Sequence, residues 1–141
     1  MPEGGLASKK SYDGLIESAT RAREKAYSPY SHVRIGAAVL TRAGRLYSGC
    51  NIENSSYSLS NCAERTAIFK AVSEGEKSIV AIAIVGKSED FTKPCGACRQ
   101  VMIQFNPKMK VLRRGTDGFS ADTTAEELLP SAFNPEELSK R

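Results

Sequence analysis

Three cysteines and one glutamate could do chemistry in this chain: Cys62-Ala63-Glu64, and then Cys95-Gly96-Ala97-Cys98. Two intervening residues put the sulfurs of Cys95 and Cys98 on one side of a turn or a helix start. A third thiolate from Cys62 leaves one corner of a zinc tetrahedron open. Structural zinc sites close all four corners, whereas catalytic ones keep a place for water. Glu64, two residues from a ligand, is placed to move protons beside that water. The combination points to hydrolysis at a zinc-bound hydroxide. A redox Cys-x-x-Cys pair follows a first strand near a βαβ unit. This one follows the third strand, and a redox reading leaves Cys62 and Glu64 without a task.

A site of three thiolates is more negative than one containing histidine, which weakens its pull on bound water. A cation beside the sulfurs corrects this, and Arg65 directly follows Glu64. Each cysteine segment is expected at a helix N-terminus, where free N–H groups and the positive dipole end favour the thiolate.

The elements that must position these groups follow from periodicity. Residues 11–26 read as a first helix, with Leu15, Ile16, Ala19, Ala22 and Ala26 at helical spacing and Pro29 ending it. Val33–Leu40 and Arg45–Ser48 form a hairpin around a turn at 41–44, and the polar stretch 49–61 is a loop. A second helix starts near Cys62, capped by Asn61, and runs to Ser73. Ile79–Val85 is continuously apolar, as in a strand covered on both faces. Pro94 opens a third helix reaching Phe105. Met109–Arg113 and Phe119–Thr123 are strands, and Thr124–Leu129 is a short helix with a capping-box pattern, Thr124 and Glu127. Helices alternating with strands imply a sheet with helices on both faces.

At these residues the chain resembles the short, tetramer-forming cytidine deaminases, zinc deaminases whose H-x-E motif has an all-cysteine form. The resemblance includes Ala26-Tyr-Ser-Pro-Tyr-Ser31, Gly49-Cys-Asn-Ile-Glu-Asn54 and Asn61-Cys-Ala-Glu-Arg-Thr-Ala67. It continues through Pro94-Cys-Gly-Ala-Cys-Arg-Gln100 and Glu127-Leu-Leu-Pro-Ser-Ala-Phe133, spanning roughly residues 10 to 138. It implies a three-layer α/β/α sandwich around a five-stranded mixed sheet, a single domain over 1–141 with 1–10 flexible, and one Zn²⁺ per subunit. It further implies hydrolysis of cytidine and deoxycytidine to uridine and deoxyuridine in pyrimidine salvage, by a homotetramer with composite active sites. On this resemblance Cys62, Cys95 and Cys98 hold zinc, Glu64 carries protons and Arg65 contacts the thiolates. Asn51 and Glu53 take the ribose hydroxyls, and the Ala63 backbone meets the pyrimidine. Tyr57 and Phe133 belong to sites shared between subunits. One departure concerns the base pocket: the family's Pro-Tyr-Ser-x-Phe is Pro29-Tyr-Ser-His-Val33 here, which removes a ring and leaves room for bulkier cytosine analogues. Cys50 is expected to be a free buried thiol and His32 a surface loop residue.

Composition bounds the alternatives. The net charge of +4 is scattered, with Arg21, Arg23 and Lys25 interleaved with Glu17 and Glu24, so a solvated helix face explains it better than a nucleic-acid groove. No apolar run approaches the roughly 20 residues that cross a bilayer. The first ten residues lack the apolar core of a signal peptide, and four cysteines without one suit the cytoplasm. Two rival readings remain: deamination of a cytosine-containing antibiotic such as blasticidin S, and a zinc-stabilised interaction module with Cys50 as fourth ligand.

Overall fold

The apolar run beginning at Ile79 forms the central strand of a five-stranded mixed sheet in the computed structural model, which describes residues 9–139. The elements are α1 (Lys9–Arg23), β1 (Gly36–Thr41), β2 (Leu46–Cys50), α2 (Ala63–Ser73), β3 (Ile79–Gly86), α3 (Gly96–Phe105), β4 (Lys110–Gly115), β5 (Ser120–Thr124), α4 (Ala125–Leu128) and α5 (Pro135–Ser139). Short 3₁₀ turns lie at Tyr57–Leu59 and Asp90–Thr92. The strand order is β2-β1-β3-β4-β5. Only β3 and β4 are parallel, and α3 supplies the crossover that a parallel pair requires.

Strand alternation divides the core into two layers. Ala37, Val39, Ile82, Ile84 and Val111 face α2 and α3, packing with Ile68, Met102 and Ile103. The intervening Ala38, Leu40, Ala81, Ala83 and Leu112 face α1 through Leu15 and Ala19. Each fully buried Leu or Ile contributes about 1.5–3 kcal/mol by leaving water. This is the sandwich expected from the alternation of helices and strands. Among the described residues, no helix is long and apolar enough to cross a membrane.

Several boundaries differ from expectation for identifiable reasons. The first helix ends at Arg23, not residue 26, because the chain turns at 24–25 and Tyr27 bridges Ile52. Of the segment expected to be flexible, residues 1–8 lie outside the described residues, while Lys9 and Lys10 are helical. The strand expected from Val33 begins at Gly36. Residues 33–35 bond to Asn51 instead of to a neighbouring strand: Ile35 N donates to Asn51 Oδ1 (2.8 Å), and Asn51 Nδ2 donates to the Val33 carbonyl (2.7 Å). β2 runs on to Cys50, two residues into the expected loop. Cys62, not Asn61, occupies the N-cap of α2, and Pro94 precedes the α3 cap instead of opening the helix. Thr124 does cap α4, accepting from Glu127 N at 3.4 Å.

Gly49 on β2 sets how closely α2 can lie. A Cβ there would stand 2.7 Å from Ala67 N and 2.8 Å from Thr66 Cβ. The helix bearing Cys62 and Glu64 therefore rests directly on the strand backbone.

Candidate active site

Two helix N-termini meet where the sulfurs gather. Cys62 is the extended N-cap of α2, and Cys95 is the extended N-cap of α3. Cys95 Sγ accepts from Cys98 N at 3.4 Å, so the thiol takes the capping role that an oxygen has in Ser or Asp. The three Sγ atoms all lie within 4.8 Å of one another, with Cys62 and Cys95 at 3.6 Å. Cys50 is free and half-buried, less enclosed than expected, and stands outside the cluster. Among the described residues, the cluster therefore offers three sulfur ligands and no fourth Cys, His or carboxylate to close a structural site.

The electrostatics favour thiolate at Cys62. Its pKa falls to about 5, chiefly through the hydrogen-bonding Cys98 thiol and then through Arg65, against the opposing effect of burial. Cys98 is pushed upward by the same pairing with Cys62 and by burial. Arg65 Nη2 donates to Cys62 Sγ at 3.4 Å, and that thiolate raises the guanidinium's pKa. Arg65 Nε is buried with no hydrogen-bond partner among the described residues. A part-buried cation with donor capacity to spare, beside three thiols, is what an electron-rich metal-thiolate group calls for.

Glu64 is the only charged residue buried among those described, at 5 % exposure. Removal from water raises its pKa to about 7, with a further upward push from the Cys62 charge. A carboxyl that takes up and gives back a proton near neutrality suits general acid–base work.

A cavity of about 320 Å³ opens over these groups, lined by Cys62, Ala63, Glu64, Cys95, Asn51 and Glu53, with Val33 and Ile35 among its apolar residues. Ile52 and Asn61 exchange backbone hydrogen bonds at 2.9 and 2.8 Å, which ties the loop holding Asn51 and Glu53 to the entry of α2. Glu53 accepts from the backbone N–H groups of Tyr30 and Ser31, both at 3.1 Å, and from the Ser31 hydroxyl. The Ser31 hydroxyl bond leads the effects that lower the Glu53 pKa and hold it anionic. Asn51 is half committed to residues 33 and 35, yet each of its amide atoms retains one free position.

Two residues expected at a shared site stand apart. Tyr57, 75 % exposed, lines an adjoining cavity of about 420 Å³ with Tyr30, Ser31, Glu53 and Ser60. Phe133 is half-exposed, its carbonyl accepting from Gln100 Nε2 at 2.7 Å, and it does not line the cavity of its own chain. His32 is exposed, as expected, with a positive φ of 61°. Phe91 and Lys93 also line the cavity over the thiols, and their residue types do not mark them for it. Their only signal was proximity to Cys95.

Comparison with known proteins agrees with this geometry. The family model described as the cytidine and deoxycytidylate deaminase zinc-binding region matches residues 9–113, a span containing all three cysteines and Glu64. The cytidine deaminase of Sporosarcina psychrophila is 52 % identical over 126 residues, covering 89 % of this chain and 93 % of that protein. The crystal structure of a cytidine deaminase from Burkholderia pseudomallei has a TM-score of 0.83 and 49 % identity, over 86 % of this chain and 98 % of that one. More distant is the blasticidin-S deaminase of Bacillus cereus, 36 % identical over 127 residues, 84 % of this chain and 89 % of that protein. The thiol cluster and its cation fit one zinc ion, which the family's zinc-binding region also requires. A match running from α1 through both cysteine-capped helices makes this chain a member of the cytidine and deoxycytidylate deaminase family, zinc-dependent hydrolytic enzymes.

Proposed function

We propose that the protein hydrolyses cytidine and deoxycytidine to uridine and deoxyuridine, releasing ammonia, in cytoplasmic pyrimidine salvage. The observation that carries this reading is one cavity joining the buried Glu64 to two of the clustered cysteines and to the polar pair Asn51 and Glu53. Bound at Cys62, Cys95 and Cys98, zinc supplies Lewis acidity that makes water nucleophilic near neutral pH.

The chain's own residues do the rest. Glu64 takes the proton released as water adds to C4 of the pyrimidine and delivers it to N3, and then carries the proton of the new C4 hydroxyl to the departing amine as the C4 carbonyl forms. Its enclosure keeps bulk water from competing for that proton. The Ala63 backbone, in the first turn of α2, is positioned for the ring's polar edge. Asn51 offers its remaining N–H and Glu53 its remaining lone pair to the ribose hydroxyls, giving preference for nucleosides over free cytosine. Arg65 offsets the thiolate charge that would otherwise weaken the activation of water.

The assembly belongs to the same proposal: a homotetramer in which Tyr57 and Phe133 complete a neighbour's site, over a single domain of residues 1–141. Exposed Tyr27, Tyr30, Ile52, Tyr57 and Leu59 support it, since an apolar patch beside a polar cavity marks an interaction surface.

The test is ultraviolet absorbance of cytidine with zinc-loaded protein beside Glu64→Gln, with sedimentation velocity on the same samples. Conversion to uridine by the wild type alone supports the reading. Turnover of blasticidin S but not cytidine would replace it with the analogue reading, for which Val33 in the cavity wall makes room.

A further inference from the structure

The cavity over the thiols has an uneven lining. Its apolar residues include the aliphatic Val33, Ile35 and Ala63, and its only aromatic side chain among the described residues is Phe91. A flat aminopyrimidine hydrogen-bonds through its edges and needs apolar cover for its faces. Aromatic rings provide that cover with a preferred stacking geometry that aliphatic groups lack. Phe91 is 42 % exposed, so its ring is not consumed by the core.

The turn carrying Phe91 is rigidly built. Thr92 is wholly buried, and its hydroxyl donates to the Glu89 carbonyl at 2.9 Å. From β4, Arg113 reaches across with Nε donating to the Thr92 carbonyl (3.1 Å) and Nη2 donating to the Glu89 carbonyl (2.9 Å). The guanidinium carbon of Arg113 in turn lies 5.1 Å from the centre of the Phe119 ring. Beneath the turn, a Cβ at Gly86 would stand 2.8 Å from the Phe91 carbonyl oxygen. Only glycine at that position lets Phe91 settle onto the end of β3. Carbonyls on both sides of Phe91 are thus pinned by one guanidinium, four residues before Cys95.

We infer that Phe91 is the specificity-determining wall against which the pyrimidine lies, and that Arg113 is a positioning residue that fixes the turn bearing it. The inference rests on the nucleoside reading above.

The experiment compares zinc-loaded wild type, Phe91→Ala, Phe91→Tyr, Arg113→Gln and the Phe91→Ala/Arg113→Gln double variant. Uridine binding by calorimetry is measured beside cytidine and 5-methylcytidine kinetics. Phe91→Ala is expected to raise the uridine Kd and the cytidine KM roughly three- to tenfold, with kcat little changed. It should penalise 5-methylcytidine less, because removal of the ring widens the cavity. Phe91→Tyr should stay near wild type. Arg113→Gln should raise KM by a smaller factor and add nothing in the double variant, whereas a merely structural role would lower Tm and add in full.

Unchanged KM and Kd in Phe91→Ala, with the wild type still converting cytidine, would overturn the wall and leave the reaction standing. A wild type that converts no cytidine would overturn the reaction reading, while the uridine arm still decides Phe91. No uridine binding by wild type would overturn both.

Discussion

Arg65 donates through Nη2 to the sulfur of Cys62 at 3.4 Å, from the position directly after the buried Glu64. The entry of α2 therefore presents a clustered thiol, a buried carboxyl and a cation in four consecutive residues. Replacing the guanidinium by a neutral amide leaves the thiolate charge uncompensated. Arg65→Gln is expected to keep the fold but lose roughly 10–100-fold in zinc retention or turnover. Zinc release to a chromogenic chelator, measured beside steady-state rates, decides it. Wild-type values for both would exclude a role for Arg65 at the thiolates.

Glu64→Gln should separate catalysis from stability. The amide is nearly the same size, and burial already disfavours the carboxylate charge, so Tm should hold or rise. Turnover should fall by roughly 10²–10⁴-fold, the usual cost of losing a general acid–base group, while zinc content stays at one per chain. A variant retaining most activity would remove Glu64 from the proton path.

Glu76 makes acid stability measurable away from the metal. Its carboxylate accepts from Tyr47 OH (2.5 Å), Thr41 Oγ1 (2.9 Å) and Arg45 Nη1 (3.3 Å). Tyr47's hydrogen bond leads the effects that hold its pKa below the ordinary value of 4.5. A carboxyl depressed in the folded state contributes stability above its unfolded pKa. That contribution is lost as pH falls through the folded one. The Tm gap between wild type and Glu76→Gln should be widest at neutral pH and shrink below about pH 4.5. A gap independent of pH would mean that the carboxylate's charge is irrelevant.

Gly49→Ala tests the seat of α2. The added Cβ would meet backbone at Ala67 N and the Thr66 side chain, both inside 3.0 Å. Overpacking of this kind costs about 1–3 kcal/mol. Because the displaced helix carries Cys62, zinc affinity should drop along with Tm. A lowered Tm with undiminished zinc affinity would show that the cluster follows α3 more than α2.

How much of this could be read in advance varies residue by residue. Cys62 with Glu64 and Cys95 with Cys98 are legible because their relations are local, two or three residues apart at helix starts. Asn61 reads as the cap because it is the better capping residue by type. In the fold, its backbone pairs with Ile52 and its side chain donates to Thr66 Oγ1 at 3.0 Å, leaving the cap to Cys62. The strand expected from Val33 begins late because a distant side chain, Asn51, takes the hydrogen bonds that a ladder would have used.

Phe91 and Arg113 show the opposite limit. Nothing in Glu89–Lys93 marks a binding wall, and nothing in β4 marks Arg113 as its support. They meet because β4 pairs beside β3 in parallel, which sets Arg113 next to the turn that leaves the β3 end. Local spacing determined the chemistry on offer in this chain: three thiols, a carboxyl group and an arginine at helix starts. Only long-range strand pairing decided which loops close over them, because which segments become neighbours is set by sheet order and not by residue type.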